Sequence, residues 1–237
     1  MKLTSLFSII ILAMMLSVAC SNNNASTDAS ESGVKTMTGE ELVKKNAGKE
    51  KDNVLIIDVR SSEEYKAGHI QNAINIFVDD VEGKLNEIED FKDKPVIVYC
   101  NTGNKSGQAA EILVKNGFND VTNAAGVKDF DYELVHYSDI RGVEFQKLID
   151  EDKDIVLVDV RPEKQVKEEG MIEGAINVPF DAVEANLDKL PKDKTIALYC
   201  NTGTKSAEVA KELDELGYEN VINSIKGVKE HSFSLVK

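Results

Sequence analysis

The sequence predicts an α/β protein made of two tandem domains, each a mainly parallel sheet flanked by helices. Two observations predict this fold class. Short apolar runs, which are typical of buried strands, alternate along the chain with segments whose apolar residues recur at helical spacing. The same pattern also occurs twice, because residues 99–106 return at residues 199–206 with one residue changed. Elements that repeat in the same order indicate a duplicated domain.

The elements of the first unit are predicted from capping residues, apolar runs and glycines. Thr38 and Glu41 form a capping-box pattern that opens a short helix, and a second brief helix follows Ser61 and stops at Gly68. The predicted strands cover residues 53–59, 73–77 and 95–100, with a last strand near Val121. Further helices are predicted over residues 81–88 and 106–117.

The second unit is predicted from motifs that return about 100 residues later in the same order. The matching motifs are DVR at residues 58–60 and 159–161, AIN at residues 73–75 and 175–177, and GVK at residues 126–128 and 227–229. Spacings that drift by one or two residues indicate small loop insertions. The predicted segments are a signal at residues 1–20, a flexible linker at 21–33, a first domain at 34–132 and a second domain at 138–237.

The composition is that of soluble globular material and excludes several classes of partner. The chain has 237 residues, of which 42% are hydrophobic and 30% are charged, and its formal net charge is −14. There is no basic block, so we expect no nucleic-acid partner. The three cysteines form neither a disulfide framework nor a CxxC or Cys/His cluster, so we expect no metal.

The N-terminal segment has the pattern of an export signal. Lys2 precedes a short apolar core, and the segment ends in LSVAC, with Cys20 last. This ending resembles the bacterial lipobox, in which a signal peptidase cuts before a cysteine that receives diacylglycerol. Ser17 departs from it, since the lipobox usually places Leu there. The alternatives are an ordinary secretory signal and an uncleaved anchor. The polar, low-complexity linker favours lipidated Cys20, which implies an extracytoplasmic protein anchored to the bacterial cell membrane.

The repeated loops place a cysteine where a parallel α/β sheet binds ligands, beyond the carboxyl end of a strand and at the start of a helix. The free N–H groups and dipole of that helix favour an anion, so a thiolate there should have a lowered pKa. The alternative is a buried cysteine with a purely structural role, which is less favoured because the same arrangement occurs in both copies. The candidate site comprises Cys100, Asn101, Thr102, Gly103, Asn104, Lys105 and Ser106 in the first loop, and Cys200, Asn201, Thr202, Gly203, Thr204, Lys205 and Ser206 in the second.

The two loops resemble the active loop of the rhodanese homology domain, which runs Cys-x-x-Gly-x-Arg followed by Ser or Thr. The DVR motif, the closing GVK stretch and the segment from Tyr65 through Gly68, His69 and Ile70 to Ala73 are also similar to family motifs. The resemblance extends from about residue 34 to the end of the chain. It implies two rhodanese-like domains.

The resemblance also implies a chemistry, because a six-residue loop from the cysteine to the basic residue is the sulfurtransferase form and a longer loop is the phosphatase form. Both loops here are short. Cys100 and Cys200 would then take sulfane sulfur from a small anionic donor such as thiosulfate or a polysulfide, hold it as a persulfide and pass it to a thiol or cyanide. A protein thiol is a further possible acceptor. No metal or organic cofactor is implied.

Several residues depart from the family pattern. Asn101 and Asn201 stand where the family often has Arg, and a lysine replaces the last Arg of each loop, which cannot make its bidentate contacts. The second unit has Val166 and Met171 where the first has Tyr65 and His69. We therefore expect two reactive cysteines, without expecting equal activity at the two sites.

The supporting residues have two interpretations. Asp58 and Arg60, like Asp159 and Arg161, could line the site, but we favour internal ion pairs that fix the loops. His69 could shuttle protons, but its loss from the second copy favours a structural role. Two functions of other classes remain open at this point: a non-catalytic module that binds or senses sulfide or thiols, and a thiol-redox protein.

Overall fold

The computed structural model describes residues 33–237. The predicted signal segment, Cys20 and all of the predicted linker except Gly33 lie outside the described residues. Within residues 33–237, no helix has the length and apolar character needed to cross a membrane.

The first unit follows the predicted alternation of strands and helices. Its elements are β1 (Lys35–Met37), α1 (Gly39–Lys45), β2 (Leu55–Asp58), α2 (Ser62–Lys66), β3 (His69–Ile70), β4 (Ala73–Asn75), β5 (Val96–Tyr99), α3 (Asn104–Lys115), β6 (Val121–Ala124) and β7 (Leu134–Val135). Five of the strands form a parallel sheet in the order β1-β6-β5-β2-β4, and β3 pairs antiparallel with β7.

The sheet of the first unit is buried on both faces, as expected for a parallel sheet covered by helices. Successive residues of a strand point to opposite faces. Leu55 and Ile57 accordingly belong to one apolar cluster, together with residues of α3, whereas Ile56 belongs to a second cluster with Leu42 of α1. The predicted fold class, a mainly parallel sheet flanked by helices, is confirmed for this unit.

The first two helices begin with capping boxes. Thr38 accepts from the backbone amide of Glu41, whose carboxylate accepts from the Thr38 amide, so the predicted cap is confirmed. Ser61 and Glu64 make the same reciprocal pair at the start of α2. Each cap satisfies amides that have no partner inside the helix.

The helix predicted over residues 81–88 is wrong in type and extent. The chain there forms a 3₁₀ helix at Glu82–Phe91, interrupted at Ile88, whose φ of −121° is not helical. Gly83 and Asn86 give the segment poor helix propensity, and its few apolar residues cannot form a continuous stripe. Burial of Ile88 and Phe91 in the core instead fixes its path.

The second unit repeats this arrangement. Its elements are β8 (Ser138–Ile140), α4 (Gly142–Glu151), β9 (Val156–Asp159), α5 (Glu163–Glu169), β10 (Met171–Ile172), β11 (Ile176–Asn177), β12 (Ile196–Tyr199), α6 (Thr204–Glu215), β13 (Val221–Ser224) and β14 (Leu235–Val236). The parallel sheet has the order β11-β9-β12-β13-β8, which matches the first unit strand for strand. Antiparallel β10 and β14 correspond to β3 and β7.

The two units meet where β4, an edge strand of the first sheet, lies beside β8, an edge strand of the second. Asp139 of β8 is the central residue of this contact. Its carboxylate accepts from the backbone amide of Asn72 at 2.6 Å and from Nδ2 of Asn223 at 2.7 Å. Its own amide donates to the hydroxyl of Tyr65 at 3.0 Å.

His69 completes the polar cluster at this interface. Its ring stacks on Tyr65, with centroids 3.7 Å apart, and Nδ1 lies 3.1 Å from the Tyr65 carbonyl oxygen. Nε2 lies 4.0 Å from Oδ2 of Asp139. Burial lowers the pKa of His69 to about 3 and raises the pKa of Asp139 to about 7. His69 is therefore a neutral, buried residue that packs at the interface between the two units, and its role is structural.

The titration of Asp139 predicts a pH-dependent stability. Because the folded-state pKa lies above the ordinary value, the stability contributed by the protonated carboxyl is fully present below about pH 4 and is lost as the pH rises through about 7. Asp139→Asn removes this loss. We expect its free energy of unfolding to rise by about 2 kcal/mol relative to the wild-type protein between about pH 5 and pH 8.

Urea denaturation followed by circular dichroism at a series of pH values measures this difference. Asp188→Asn, the same change at an exposed position, is the control and should follow the wild-type profile. Parallel profiles for Asp139→Asn and the wild-type protein would contradict the role given to Asp139.

Candidate active site

Each candidate loop joins the end of a central strand to the start of a helix. Cys100 follows β5 directly, and α3 begins four residues later at Asn104. Cys200 lies in the same way between β12 and α6. The turn into each helix passes through a glycine in the left-handed region, with φ of 82° at Gly103 and 72° at Gly203. Glycine adopts this conformation without the steric cost that other residues meet.

The thiol of Cys100 is buried and surrounded by donors. Its side chain accepts from the hydroxyl of Ser106 at 3.3 Å. Burial by itself would raise the pKa of the thiol, but the Ser106 hydroxyl and the backbone amides of Ser106, Thr102 and Gly103 favour the thiolate and bring the pKa below its usual value. The loop therefore surrounds the sulfur with N–H and O–H donors that favour its thiolate form.

Cys200 has the same hydroxyl partner in the second loop. Oγ of Ser206 lies 3.5 Å from the Cys200 sulfur and 3.1 Å from the Gly203 carbonyl oxygen, and its single proton can be donated to one of these acceptors at a time. Only 3% of Cys200 and 2% of Cys100 are exposed, so a substrate that donates sulfur must reach each cysteine through the opening of its loop.

The turn that follows β6 holds the first loop in place through two backbone hydrogen bonds. The amide of Val127 donates to the Cys100 carbonyl and the amide of Lys128 to the Asn101 carbonyl, both at 3.0 Å. A Cβ at Gly126 would lie 2.1 Å from the Asn101 oxygen, so only glycine permits this approach.

The second loop is fastened in the same way. Val228 donates to the Cys200 carbonyl at 2.9 Å and Lys229 to the Asn201 carbonyl at 3.0 Å, and a Cβ at Gly227 would lie 2.2 Å from the Cys200 oxygen. The sequence showed this GVK repeat only as a motif that closes each unit. The structure places it against the backbone of the candidate site.

The supporting residues of the first unit form a buried ion pair. Nη2 of Arg60 donates to Oδ2 of Asp58 at 2.6 Å and to the carbonyl of Gly68 at 2.7 Å. Asp58 pairs in register with Tyr99, the residue before Cys100. The hydroxyl of Tyr99 accepts from the Ile70 amide at 3.0 Å. The pair thus ties the end of β2 to the segment before β3, beside the strand that presents the cysteine.

Asp159 and Arg161 repeat this pair in the second unit. Arg161 donates to Asp159 at 2.6 Å and to the carbonyl of Gly170 at 2.7 Å. The hydroxyl of Tyr199 accepts from the Ile172 amide at 3.0 Å. The Arg161 guanidinium group donates to both Asp159 and the Gly170 carbonyl, and these hydrogen bonds stabilise the strand ends.

The lysines that end the loops lie on the exposed side. The ammonium group of Lys105 lies 5.3 Å from the ring centroid of Phe77, and that of Lys205 lies 4.8 Å from the centroid of Phe180. Lys205 also pairs with Glu208 at 2.6 Å. Each loop therefore ends in an exposed cation that can attract an anionic donor, and the charge of Lys205 is partly offset by Glu208.

The remaining residues of the two loops lie at or near the protein surface. Asn104, Thr204 and Thr102 are exposed, whereas Thr202 is half-buried. Lys51 of the first unit donates from Nζ to the Thr202 carbonyl at 3.0 Å. No sequence pattern predicts this contact, because a lysine between two elements carries no signal for a partner in another domain.

The asparagines after the cysteines contact the helix that follows the DVR motif. Nδ2 of Asn101 donates to Glu64 at 2.7 Å. Asn201 exchanges two hydrogen bonds with Gln165, at 2.9 and 3.1 Å. Single sequence motifs do not reveal these partners, although aligning the two copies pairs Glu64 with Gln165.

Comparison with known proteins identifies one family over most of the chain. The family model for the rhodanese-like domain matches residues 40–127 and again residues 143–232. Thiosulfate sulfurtransferase PspE of Escherichia coli (strain K12) is 47% identical over 73 residues, which cover 31% of this chain and 70% of that protein.

Two further similarities cover single units. A sulfurtransferase of Allochromatium vinosum is 31% identical over 83 residues, covering 35% of this chain and 76% of that protein. A solved structure of a rhodanese with anions from E. coli is 43% identical and covers 35% of this chain and 96% of that chain, with a TM-score of 0.33.

The hydroxyl contact to Cys100 predicts a shift in thiol reactivity. Ser106→Ala removes one donor to the sulfur, so we expect the pH midpoint for alkylation of Cys100 to rise by roughly half to one unit. Iodoacetamide labelling at a series of pH values, with each cysteine peptide quantified by mass spectrometry, measures it. Cys200 in the same molecule is the control, and an unchanged midpoint at Cys100 would show that the hydroxyl does not stabilise the thiolate.

Proposed function

The chain belongs to the rhodanese-like domain family as a tandem of two such domains, and on that premise we propose that it is a sulfurtransferase that works through cysteine persulfides at Cys100 and Cys200. Relatives that carry the name sulfurtransferase place it in a sulfur-transfer family. The observation that carries the proposal is the Cys100 sulfur held among the hydroxyl and amide donors of its own loop, which lower the pKa of the thiol.

The reaction proceeds in two half-reactions. The cysteine thiolate attacks the outer sulfur of thiosulfate or a similar donor, a new S–S bond forms, and the donor S–S bond breaks as sulfite leaves with its electron pair. The persulfide anion occupies the space in front of the loop amides, which are already oriented toward a negative sulfur. A thiol or cyanide then attacks the outer sulfur and releases the original thiolate.

The dimensions of the loop support sulfur chemistry. Cys100 to Lys105 and Cys200 to Lys205 have the short loop form that the family uses for sulfur transfer. The left-handed glycines and the closing turns give the two loops closely similar paths. The same architecture therefore supports a persulfide at both cysteines.

We also propose that Cys20 is lipidated and anchors the protein on the outer side of a bacterial cell membrane. The support is the sequence alone: an apolar segment that ends at Cys20, followed by a polar stretch suited to a tether. This placement would present both domains to extracytoplasmic donors and to small thiols or protein thiols.

Loss of the two cysteines should abolish sulfur transfer. We expect Cys100→Ser and Cys200→Ser each to remove part of the thiosulfate-dependent formation of thiocyanate from cyanide, and the double variant to fall to the uncatalysed rate, because serine cannot form a persulfide. Unchanged secondary structure by circular dichroism is the control. Activity that survives in the double variant would rule out the proposed mechanism.

Lipidation has a separate test. Cys20→Ser removes the acceptor of the lipid, so we expect the protein to move from the membrane fraction to the soluble extracytoplasmic fraction of the bacterium. Immunoblotting of the fractions measures the distribution, with Cys100→Ser as the matched control. Equal membrane retention of Cys20→Ser and the control would contradict lipidation as the anchor.

A further inference from the structure

The two loops differ in the charge that contacts the residue after the cysteine. Glu64 and Gln165 are each the third residue of the equivalent helices α2 and α5, and each hydrogen-bonds to the asparagine of its loop. The first loop therefore has a carboxylate at its mouth, 2.7 Å from the Asn101 amide nitrogen, where the second has a neutral amide.

Glu64 carries its charge at neutral pH. The hydrogen bond from Asn101 lowers its pKa most, against the opposing effect of partial burial, and Arg60 and Lys105 lower it further. Arg60 is itself bound to Asp58 by hydrogen bonds of 2.6 to 3.1 Å, which neutralise most of its charge. The residue after Cys100 is thus hydrogen-bonded to a carboxylate, and Lys105 lies close enough to offset part of that negative charge.

The carboxylates near the second loop have cationic partners of their own. Glu169, which accepts from Gln165, is held by Arg161 at 3.1 Å and by Lys229 at 2.9 Å. Glu208 lies one turn into α6 and is paired with Lys205 at 2.6 Å, which offsets the charge of both residues. The partner of Asn201 is the neutral amide of Gln165, whereas the partner of Asn101 is the carboxylate of Glu64.

A lysine of the first unit, itself paired with a carboxylate, also contacts the second loop. The ammonium group of Lys51 donates to the Thr202 carbonyl at 3.0 Å and pairs with Asp52 at 2.8 Å. Only 11% of the Lys51 side chain is exposed, so solvent screens its charge less than that of a surface lysine. Thr102, the counterpart of Thr202, is exposed.

We propose that the two sites select sulfur donors by charge, Cys200 favouring dianionic donors such as thiosulfate and Cys100 favouring donors of lower charge, with Glu64 and Gln165 as the specificity-determining pair. This inference rests on the proposed function, since both sites must form persulfides. The tandem chain would then accept sulfane sulfur from two chemical classes of donor, one at each cysteine.

Two donors with the same reacting group test the inference. Thiosulfate is a dianion that transfers its outer sulfur to the thiolate and leaves as sulfite. Methanethiosulfonate is a monoanion that transfers the same sulfur and leaves as methanesulfinate. In each case one S–S bond forms, one breaks, and the leaving group takes the electron pair, so the rate ratio of the two donors reports mainly the effect of the second charge.

The experiment measures persulfide formation at both cysteines of the full chain by quenching with an alkylating reagent and quantifying each cysteine peptide by mass spectrometry. At low ionic strength, we expect the thiosulfate-to-methanethiosulfonate rate ratio to be higher at Cys200 than at Cys100. Glu64→Gln should raise the ratio at Cys100 by about three- to tenfold and leave Cys200 unchanged, and Gln165→Glu should lower it at Cys200 by a similar factor. Both effects should shrink at about 0.5 M salt.

Glu63→Gln is the matched control, because it removes the same charge from the neighbouring exposed residue, and it should leave both ratios unchanged. Ratios that do not respond to Glu64→Gln and Gln165→Glu, or that respond equally to Glu63→Gln, would overturn the inference while leaving the proposed function intact. Absence of a persulfide on both cysteines of the wild-type chain with both donors would overturn the proposed function and the inference with it.

Discussion

The chemistry of each site depends on two backbone hydrogen bonds behind the loop. Val127 and Lys128 hold the carbonyls of Cys100 and Asn101, and Val228 and Lys229 hold those of Cys200 and Asn201. Because these carbonyls point away from the cysteine, the backbone turns through a glycine in the left-handed conformation before the helix starts. In the first loop, the amides that follow are then directed at the sulfur and counteract the effect of burial on the pKa of the thiol.

The two units keep this loop and differ in what surrounds it. Tyr65 and His69 bind the first unit to Asp139 of the second, and their counterparts are Val166 and Met171. The difference has a simple topological reason. β4 lies against β8, whereas β11, the counterpart of β4, is an edge strand of the second sheet and pairs with β9 alone among the strands of residues 33–237. Tyr65 and His69, which belong to the segment that resembles a family motif, here form part of the contact between the units.

The sequence predicts the fold class and the position of both cysteines because these depend on local patterns: apolar runs, caps at Thr38 and Ser61, and a glycine after each cysteine. The segment of residues 81–88 could not be predicted in the same way, since burial of Ile88 and Phe91 overrides its weak helix propensity. The partners of the loops, Glu64, Gln165 and Lys51, come from other elements and depend on how those elements pack.

We infer that each loop surrounds the sulfur of its cysteine with donors suited to a persulfide anion. A crystal structure of the protein after incubation with thiosulfate would show this arrangement. We predict one additional sulfur atom on both Cys100 and Cys200, directed into its loop and within hydrogen-bonding contact of the amides at the start of α3 and α6. Cysteines that remain unmodified, or added sulfur atoms that point away from the loop amides, would contradict the account.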